Sequence, residues 1–379
     1  MTLPVLKRLW PIIKKEFRHI RRDKRVLAVL TLVPAALLLL NGYALNFDVT
    51  HIRTAVVNHD KSATSRDFIQ SFVSSGYFDH VKNLRTSYEA ARLLDNGEVR
   101  LVIVVPSGFS EKLLARETVD VQLLVDGMDA SAATTIVGYA QAMVLQYSQR
   151  IILQAMSKIG RGSYIPVNYE MRMWYNPELK SARFLVPGLI AFILAITCVI
   201  ATSLSIVKEK ERNTIEQINV SPIHALDFIV GKLIPYALIS LVAAALVLLA
   251  AYFLFDVVIK GSVLLLFFAT LLFITAALSI GLFVSTVSDS QQVAFQIAAI
   301  VSIAPTIILS GFIFPIRSMP WWLQVLSNVT PAKFYLVILR SIVLKGAGLS
   351  AFWEQGVYLL LYTTLFLGIS TLRFRKTVG

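Results

Sequence analysis

The chain predicts a polytopic α-helical membrane protein. It has six transmembrane helices, both termini inside, and an α/β domain inserted externally between the first and second helices. Three observations carry that prediction. Of 379 residues, 56% are hydrophobic and only 16% charged, against roughly a quarter charged in a soluble domain. Apolar runs near the ~20 residues needed to cross a ~30 Å hydrocarbon core recur along it. Positive charge is also uneven: residues 1–25 hold nine Lys/Arg against Glu16 and Asp23, whereas residues 46–182 hold fourteen basic and fourteen acidic residues. The formal charge of +13 is therefore concentrated beside the lipid bilayer, where Lys and Arg orient helices and meet anionic lipid. That distribution argues against a nucleic-acid partner.

Residues 1–25 form a cytoplasmic basic amphipathic segment, with Leu3, Leu6, Leu9, Trp10, Ile13 and Phe17 recurring among the bases. A topogenic flank and an interfacial helix on the cytoplasmic leaflet share this pattern, and both put the N-terminus inside. "VLAVLTLVPAALLLLNGYAL" (residues 26–45) reads as an uncleaved first membrane helix, since no small-x-small cleavage site follows its apolar run.

Residues 46–182 are long enough for one external, periplasmic domain. Strands are predicted at 52–58, 78–84, 99–105 and 119–126, and helices at 62–75, 87–96 and 110–116, with Gly97 stopping the second helix. Strand–helix alternation gives a small α/β domain with a largely buried sheet. A long helical stretch over 130–159 then leads back towards the membrane.

The remaining five-helix membrane domain, 183–379, contains apolar runs at about 184–207, 233–255, 263–285, 293–314 and 352–372. Lys208, Lys210, Arg212, Arg373, Arg375 and Lys376 fall on the inner side, whereas the outer turn at 256–262 carries just Lys260. Positive-inside counting therefore gives both termini inside and 46–182 outside. "FYLVILRSIVL" (334–344), interrupted by Arg340, is too short to cross. Residues 315–345 are read as an external half-inserted segment, with an aromatically anchored surface loop as the alternative.

Candidate chemistry is sparse. Cys198 is the only cysteine, which excludes an intrachain disulfide and a multi-cysteine metal site. The five His are scattered, so no metal site is predicted. No phosphate-binding G-x-x-x-x-G-K-[ST] occurs, and the spans lack the midplane acidic residues that an ion-coupled carrier uses. The chain reads as a non-enzyme whose transport energy comes from outside the membrane. An ion-coupled secondary transporter and a membrane-anchored binding or scaffold protein remain the rival classes. Thr202, Ser203, Gln296, Ser302 and Ser310 are candidates for lining a path, with helix–helix packing as the competing role.

The segment "KEKERNTIEQINVSPIHALDFIVGK" (208–232) holds more charge than a connector needs. Asn213 or Thr214 is placed to cap a short helix, with Glu216 in its first turn. Ile215 and Ile218 give it an apolar edge, and Ser221-Pro222 ends it. Residues 226–230 then turn into the next span, with Lys232 at the interface. Such a knob suits a groove on a soluble partner; a solvated helix-turn with snorkelling lysines fits the same residues.

This segment resembles the cytoplasmic loop of permeases of the ATP-binding-cassette type-2 exporter family, E-[KR]-x-x-G-T-[LI]-E-x-[LI]-x-[VA]-[ST]-P with a following G-K. The match falls on Glu211, Arg212, Thr214, Ile215, Glu216, Ile218, Val220, Ser221, Pro222, Gly231 and Lys232. Asn213 stands where the family usually has Gly. "LLDNGEVRLVIVVPSGFSEKLL" and "GFIFPIRSMPWWLQVLSNVTPAKFYLVILR" are similar to the drug- or multidrug-efflux subgroup, and the resemblance covers nearly the whole chain.

The resemblance implies the multi-pass permease subunit of an ATP-driven exporter in a bacterial inner membrane, moving a hydrophobic or amphipathic, drug- or lipid-like molecule. It implies separate cytoplasmic ABC ATPase subunits that bind the ATP and Mg, with no cofactor held by this chain. A second permease copy, as homodimer or paired paralogue, and a periplasmic membrane-fusion adaptor are the other implied partners. Glu209, Glu211, Arg212, Thr214, Glu216, Ser221 and Pro222 then become the candidates for coupling to the ATPase.

Overall fold

The computed structural model describes residues 5–44, 49–158, 174–176, 180–212 and 225–373. The chain divides into two compact units, one of residues 47–172 and one of residues 1–46 with 173–379.

In the smaller unit, β1 (Ile52–Asn58), β2 (Phe78–Leu84), β3 (Leu101–Val105) and β4 (Gln122–Val125) form one sheet in the order β2-β1-β3-β4. β1 is parallel to both β2 and β3, and β4 closes the edge antiparallel to β3. Helices α3 (Ala63–Val73) and α4 (Ser87–Asp95) make the crossovers between parallel strands, α5 (Phe109–Leu114) lies between β3 and β4, and α6 (Ala130–Lys158) follows. Capping explains two starts: Ser62 accepts from the Ser65 N–H and Thr86 from the Glu89 N–H. Side chains alternate across the sheet. Val56, Leu101, Ile103 and Val105 pack with Phe68, Phe72, Ile136 and Tyr147, while Ala55, Val57, Val102 and Val104 pack with Ala90 and Leu93. Only the middle of the sheet is dry. The interior of β2, the edge strand among the described residues, is exposed between Phe78 and Leu84.

The larger unit begins with α1 (Val5–Arg22) and α2 (Lys24–Ala44), separated at Asp23. Among the described residues, five helices are long and apolar enough to cross a membrane: α7 (Ser181–Glu211), α8 (Ala225–Phe255), α9 (Val263–Val287), α10 (Gln291–Leu309) and α13 (Trp353–Arg373). The expected first span falls on α2, whose apolar stretch among these residues, Leu30–Ala44, is shorter. Between α10 and α13 lie the short α11 (Trp321–Leu326) and α12 (Pro331–Val343). At 13 residues, about 20 Å long, α12 falls short of a hydrocarbon core.

Packing centres on α7, which contacts α2, α8, α9, α10 and α12. Its approach to α9 depends on a missing side chain: a Cβ on Gly281 would lie 2.4 Å from the Val199 carbonyl oxygen. Small residues let membrane helices come this close. α12 docks on α9 through Tyr335, whose ring stacks on Phe273 at 4.1 Å and whose hydroxyl lies 2.9 Å from Thr270 Oγ1. The Arg340 guanidinium ties α12 to the start of α7 and the end of α10, donating to the carbonyls of Phe184 at 3.1 Å and Gly311 at 3.0 Å. Outward-facing Leu249 and Phe253 on α8, Leu264 and Phe268 on α9, and Leu361 and Leu365 on α13 are exposed, as lipid-facing side chains would be.

One expectation needs correction. Of the segment 208–232, residues 208–211 do not belong to the connecting loop; they are the last turn of α7. Lys and Glu sustain a helix as well as most apolar residues do, so polarity marks where the greasy surface ends, not where the helix stops. Lys232, expected at the membrane interface, lies inside α8 and is only 3% exposed.

Candidate functional site

The charged run Lys208-Glu209-Lys210-Glu211 occupies successive positions of a helix, which turns about 100° per residue. Four neighbours therefore point in four directions, and each meets a different element. Lys208 Nζ lies 3.9 Å from Asp23 Oδ2 at the α1–α2 junction. Glu209 turns towards α1 and α8, with Lys15 Nζ at 3.0 Å and Lys232 Nζ at 3.3 Å. Lys210 Nζ donates to the carbonyls of Ser285 at 2.8 Å and Ser288 at 3.1 Å, at the end of α9, where cations complement a helix C-terminus. Glu211 accepts from the Gln291 backbone N–H at 2.6 Å and from its side-chain amide, the favourable sign for the N-terminus of α10.

Lys232 closes the arrangement. Its ammonium donates to the Ser205 carbonyl at 2.9 Å and the Ser205 hydroxyl at 3.0 Å, and lies 3.8 Å from Glu16 Oε1. Glu16 is 3% exposed, and burial raises its pKa above the ordinary carboxylate value, opposed by the Lys232 charge. Beneath these ions Ile12, Ile206, Phe228, Ile229 and Leu282 form a small apolar core, and Ile12 sits against Gly231 so closely that a Cβ there would meet it at 2.9 Å. The end of α7 is thus fastened to α1, α8, α9 and α10 by specific polar contacts.

Beside this cluster opens a cavity of about 570 Å³. One end is charged, with Lys15, Glu16, His19, Lys208, Glu209 and Arg212; the other is apolar, with Leu30, Val33, Leu37, Ile196, Ile200 and Phe295. The two ends suit a molecule that is itself polar at one end and greasy at the other.

Of the coupling candidates, Glu209 and Glu211 sit in the cluster, and Arg212 is the exposed C-cap of α7 on the cavity rim. Thr214, Glu216, Ser221 and Pro222 lie outside the described residues. Among the path candidates, Thr202, Ser203, Ser302 and Ser310 are buried. Ser203, Ser302 and Ser310 return their hydroxyls to their own helices, at Ile200, Ala298 and Thr306, while Thr202 faces Gly281. Gln296 is exposed on α10.

Sequence reading missed Lys15, Glu16, Ser205 and Lys232 as partners. A signal existed. The two carboxylates among the bases of residues 1–25, Glu16 and Asp23, are the ones that meet Lys232 and Lys208.

A sequence profile described as "ABC-2 family transporter protein" matches residues 24–372. The chain belongs to the ABC-2 transporter family. Membership makes it a transport permease, a non-enzymatic membrane subunit whose ATP hydrolysis is carried out by separate subunits. This ABC-2 permease is 31% identical over 373 residues to the Escherichia coli (strain K12) protein named "Probable multidrug ABC transporter permease YbhR", covering 98% of this chain and 99% of that one. It is 29% identical over 379 residues to "Probable multidrug ABC transporter permease YbhS" of the same strain, with 99% of each chain covered. To that strain's "Inner membrane transport permease YhhJ" it is 28% identical over 368 residues, with 96% of each covered.

Proposed function

We propose that this permease is the membrane subunit of an ATP-driven exporter in the bacterial inner membrane. It carries a hydrophobic or amphipathic, drug- or lipid-like molecule out of the cytoplasm or inner leaflet. It works with a second permease copy and with cytoplasmic ATPases. In this reading α2 supplies a sixth span, both termini are cytoplasmic, the α/β unit is external, and a membrane-fusion adaptor receives the cargo. Charge asymmetry supports the sidedness, and the relatives' names support the substrate class and membrane.

The observation that carries the proposal is the fastening of α7. Residues 213–224 stand between α7 and α8 in the chain, so a displacement imposed on them acts first on Glu209, Glu211 and Lys232. Those residues hold α1, α8 and α10, and the adjoining cavity between charged and apolar walls is where an amphipathic cargo would wait. Gln296 is exposed on α10 but does not line this cavity, whereas its neighbour Phe295 does.

The test is substitution of Glu216 and Pro222, followed by co-purification with the ATPase and by ATP-driven transport in vesicles. Loss of transport in either variant is expected. Wild-type transport in both would remove the coupling role. A proton uncoupler leaves ATP-driven transport intact if the power is nucleotide alone, whereas a collapse would favour an ion-coupled carrier.

A further inference from the structure

The walls of the cavity beside the α7 cluster change character with depth. α7 runs antiparallel to α10, since Glu211 meets Gln291 at one end and Phe192 stacks on Phe312 at 5.9 Å near the other. It is antiparallel to α8 as well, where Lys232 meets Ser205 and Ser240 meets Cys198. Lys208 faces Asp23 just before α2, so these helices bring their charged ends to one level. From that level α7 lines the cavity with Arg212 and Lys208, then Leu204, then Ile200 and Ile196. Arg212 and Ile196 are about 24 Å apart along the helix. Leu30, Val33 and Leu37 on α2 follow the same direction, at the i, i+3, i+7 spacing of one helix face. Charged and apolar surface are thus sorted by depth on two helices that run in opposite directions.

The charged end does not balance. Lys15, Lys208, Arg212 and Lys232 line it together with Glu16 and Glu209. Both carboxylates are already held: Glu209 by Lys15 at 3.0 Å and Lys232 at 3.3 Å, and Glu16 by Lys232 at 3.8 Å. Asp23, behind Lys208 at 3.9 Å, and Glu211, turned onto α10, do not line the cavity. Arg212 is left over. It is exposed, and among the described residues no carboxylate pairs with it. A cationic head would have to pull Lys15 or the buried Lys232 off Glu209. An anionic head displaces nothing, because a guanidinium offers a planar fork of N–H donors that suits an oxyanion. Burial also raises the Glu16 pKa, which lessens the negative charge at this end. A cleft with apolar walls focuses the remaining positive field on whatever enters.

We infer that this cavity selects amphiphiles with an anionic head, the oxyanion docking on Arg212 beside Lys208 and the apolar body lying between α2 and α7 along Leu30, Val33, Ile200 and Ile196. The inference rests on the reading of the cavity as the place where cargo waits, and adds the sign of the charge on the cargo's head. A free amphiphile and an anionic lipid of the bilayer share that chemistry.

The test uses photoactivatable probes of one alkyl chain carrying a sulfonate, a trimethylammonium or a hydroxyl head, on the full chain in phosphatidylcholine nanodiscs. Crosslinks are mapped by peptide mass spectrometry and normalised to labelling of the lipid. The sulfonate is expected to label α2 and α7 about threefold more than the other two probes, the scale of an exposed ion pair. Arg212→Gln brings the probes close to parity, and Arg212→Lys keeps the preference. Arg18→Gln keeps it too, since Arg18 is exposed on α1 but does not line the cavity. Equal labelling by the sulfonate and trimethylammonium probes in wild type, or a sulfonate preference that survives Arg212→Gln, overturns the inference. Phosphatidylglycerol added to the nanodisc separates the two sources. Suppressed sulfonate labelling assigns the site to bilayer lipid, unchanged labelling assigns it to the free amphiphile, and both keep the anionic head. The assay contains neither nucleotide nor ATPase. A failure here therefore leaves the exporter reading to its own transport test, and a failure of transport leaves the labelling result intact.

Discussion

The Lys232 ammonium lies 3.3 Å from a carboxylate oxygen of Glu209 on the neighbouring helix, in a pocket where the lysine side chain is 3% exposed. Residues far apart in sequence converge on this contact: Lys15 and Glu16 from α1, Ser205 and Glu209 from α7, and Lys232 from α8. Removing one member of a buried ionic group leaves another uncompensated, which typically costs about 3–5 kcal/mol. Lys232→Met is therefore expected to lower the thermal midpoint of the purified protein sharply. Lys232→Met with Glu16→Gln recovers part of the loss, because the stranded charge is gone; thermal unfolding of both variants checks this.

Glu16 gives the same cluster a pH dependence. Burial, the largest influence, raises its pKa, and Glu209 adds to the rise while Lys232, Lys15 and His19 oppose it. The folded protein then holds a proton that the unfolded chain has already released. Stability from this group is complete below the ordinary glutamate pKa and fades as pH rises through the raised folded value. Thermal midpoints measured from pH 4 to pH 8 should show a decline in wild type that is smaller in Glu16→Gln.

Two glycines separate backbone clashes from side-chain clashes. A Cβ on Gly281 meets the Val199 carbonyl oxygen at 2.4 Å, whereas one on Gly188 meets the Phe312 ring at 2.1 Å. A ring can rotate away and a helix backbone cannot, although overpacking commonly costs about 1–3 kcal/mol in either case. Gly281→Ala is expected to be the more destabilising, by yield and thermal midpoint, despite its longer contact.

Glu211 tests transmission apart from partner binding. Its carboxylate holds the start of α10 through the Gln291 backbone and side-chain amides. Glu211→Gln keeps the shape but weakens two charge-assisted hydrogen bonds. Transport in vesicles should fall severalfold while co-purification with the ATPase stays intact. A variant at Pro222 is expected to lose both.

Local features were legible. The strand at Ile52–Asn58 and the helices capped by Ser62 and Thr86 follow from hydrophobic runs and capping residues within a few positions of one another. Family membership was legible too, because the 211–232 motif and the segments around it are contiguous in the chain. The run Lys208–Glu211 was misread because hydropathy falls after Val207 while α7 continues to Glu211.

By itself the sequence determined a membrane permease with an inserted α/β unit, since hydropathy, periodicity and motif spacing are properties of neighbouring residues. Tertiary structure alone decided what the charges are for. Whether Lys208, Glu209, Lys210 and Glu211 would be solvated or each meet its own partner depends on which helices stand around α7. That neighbourhood is fixed by close approaches such as Gly281 on Val199, between residues far apart in the chain.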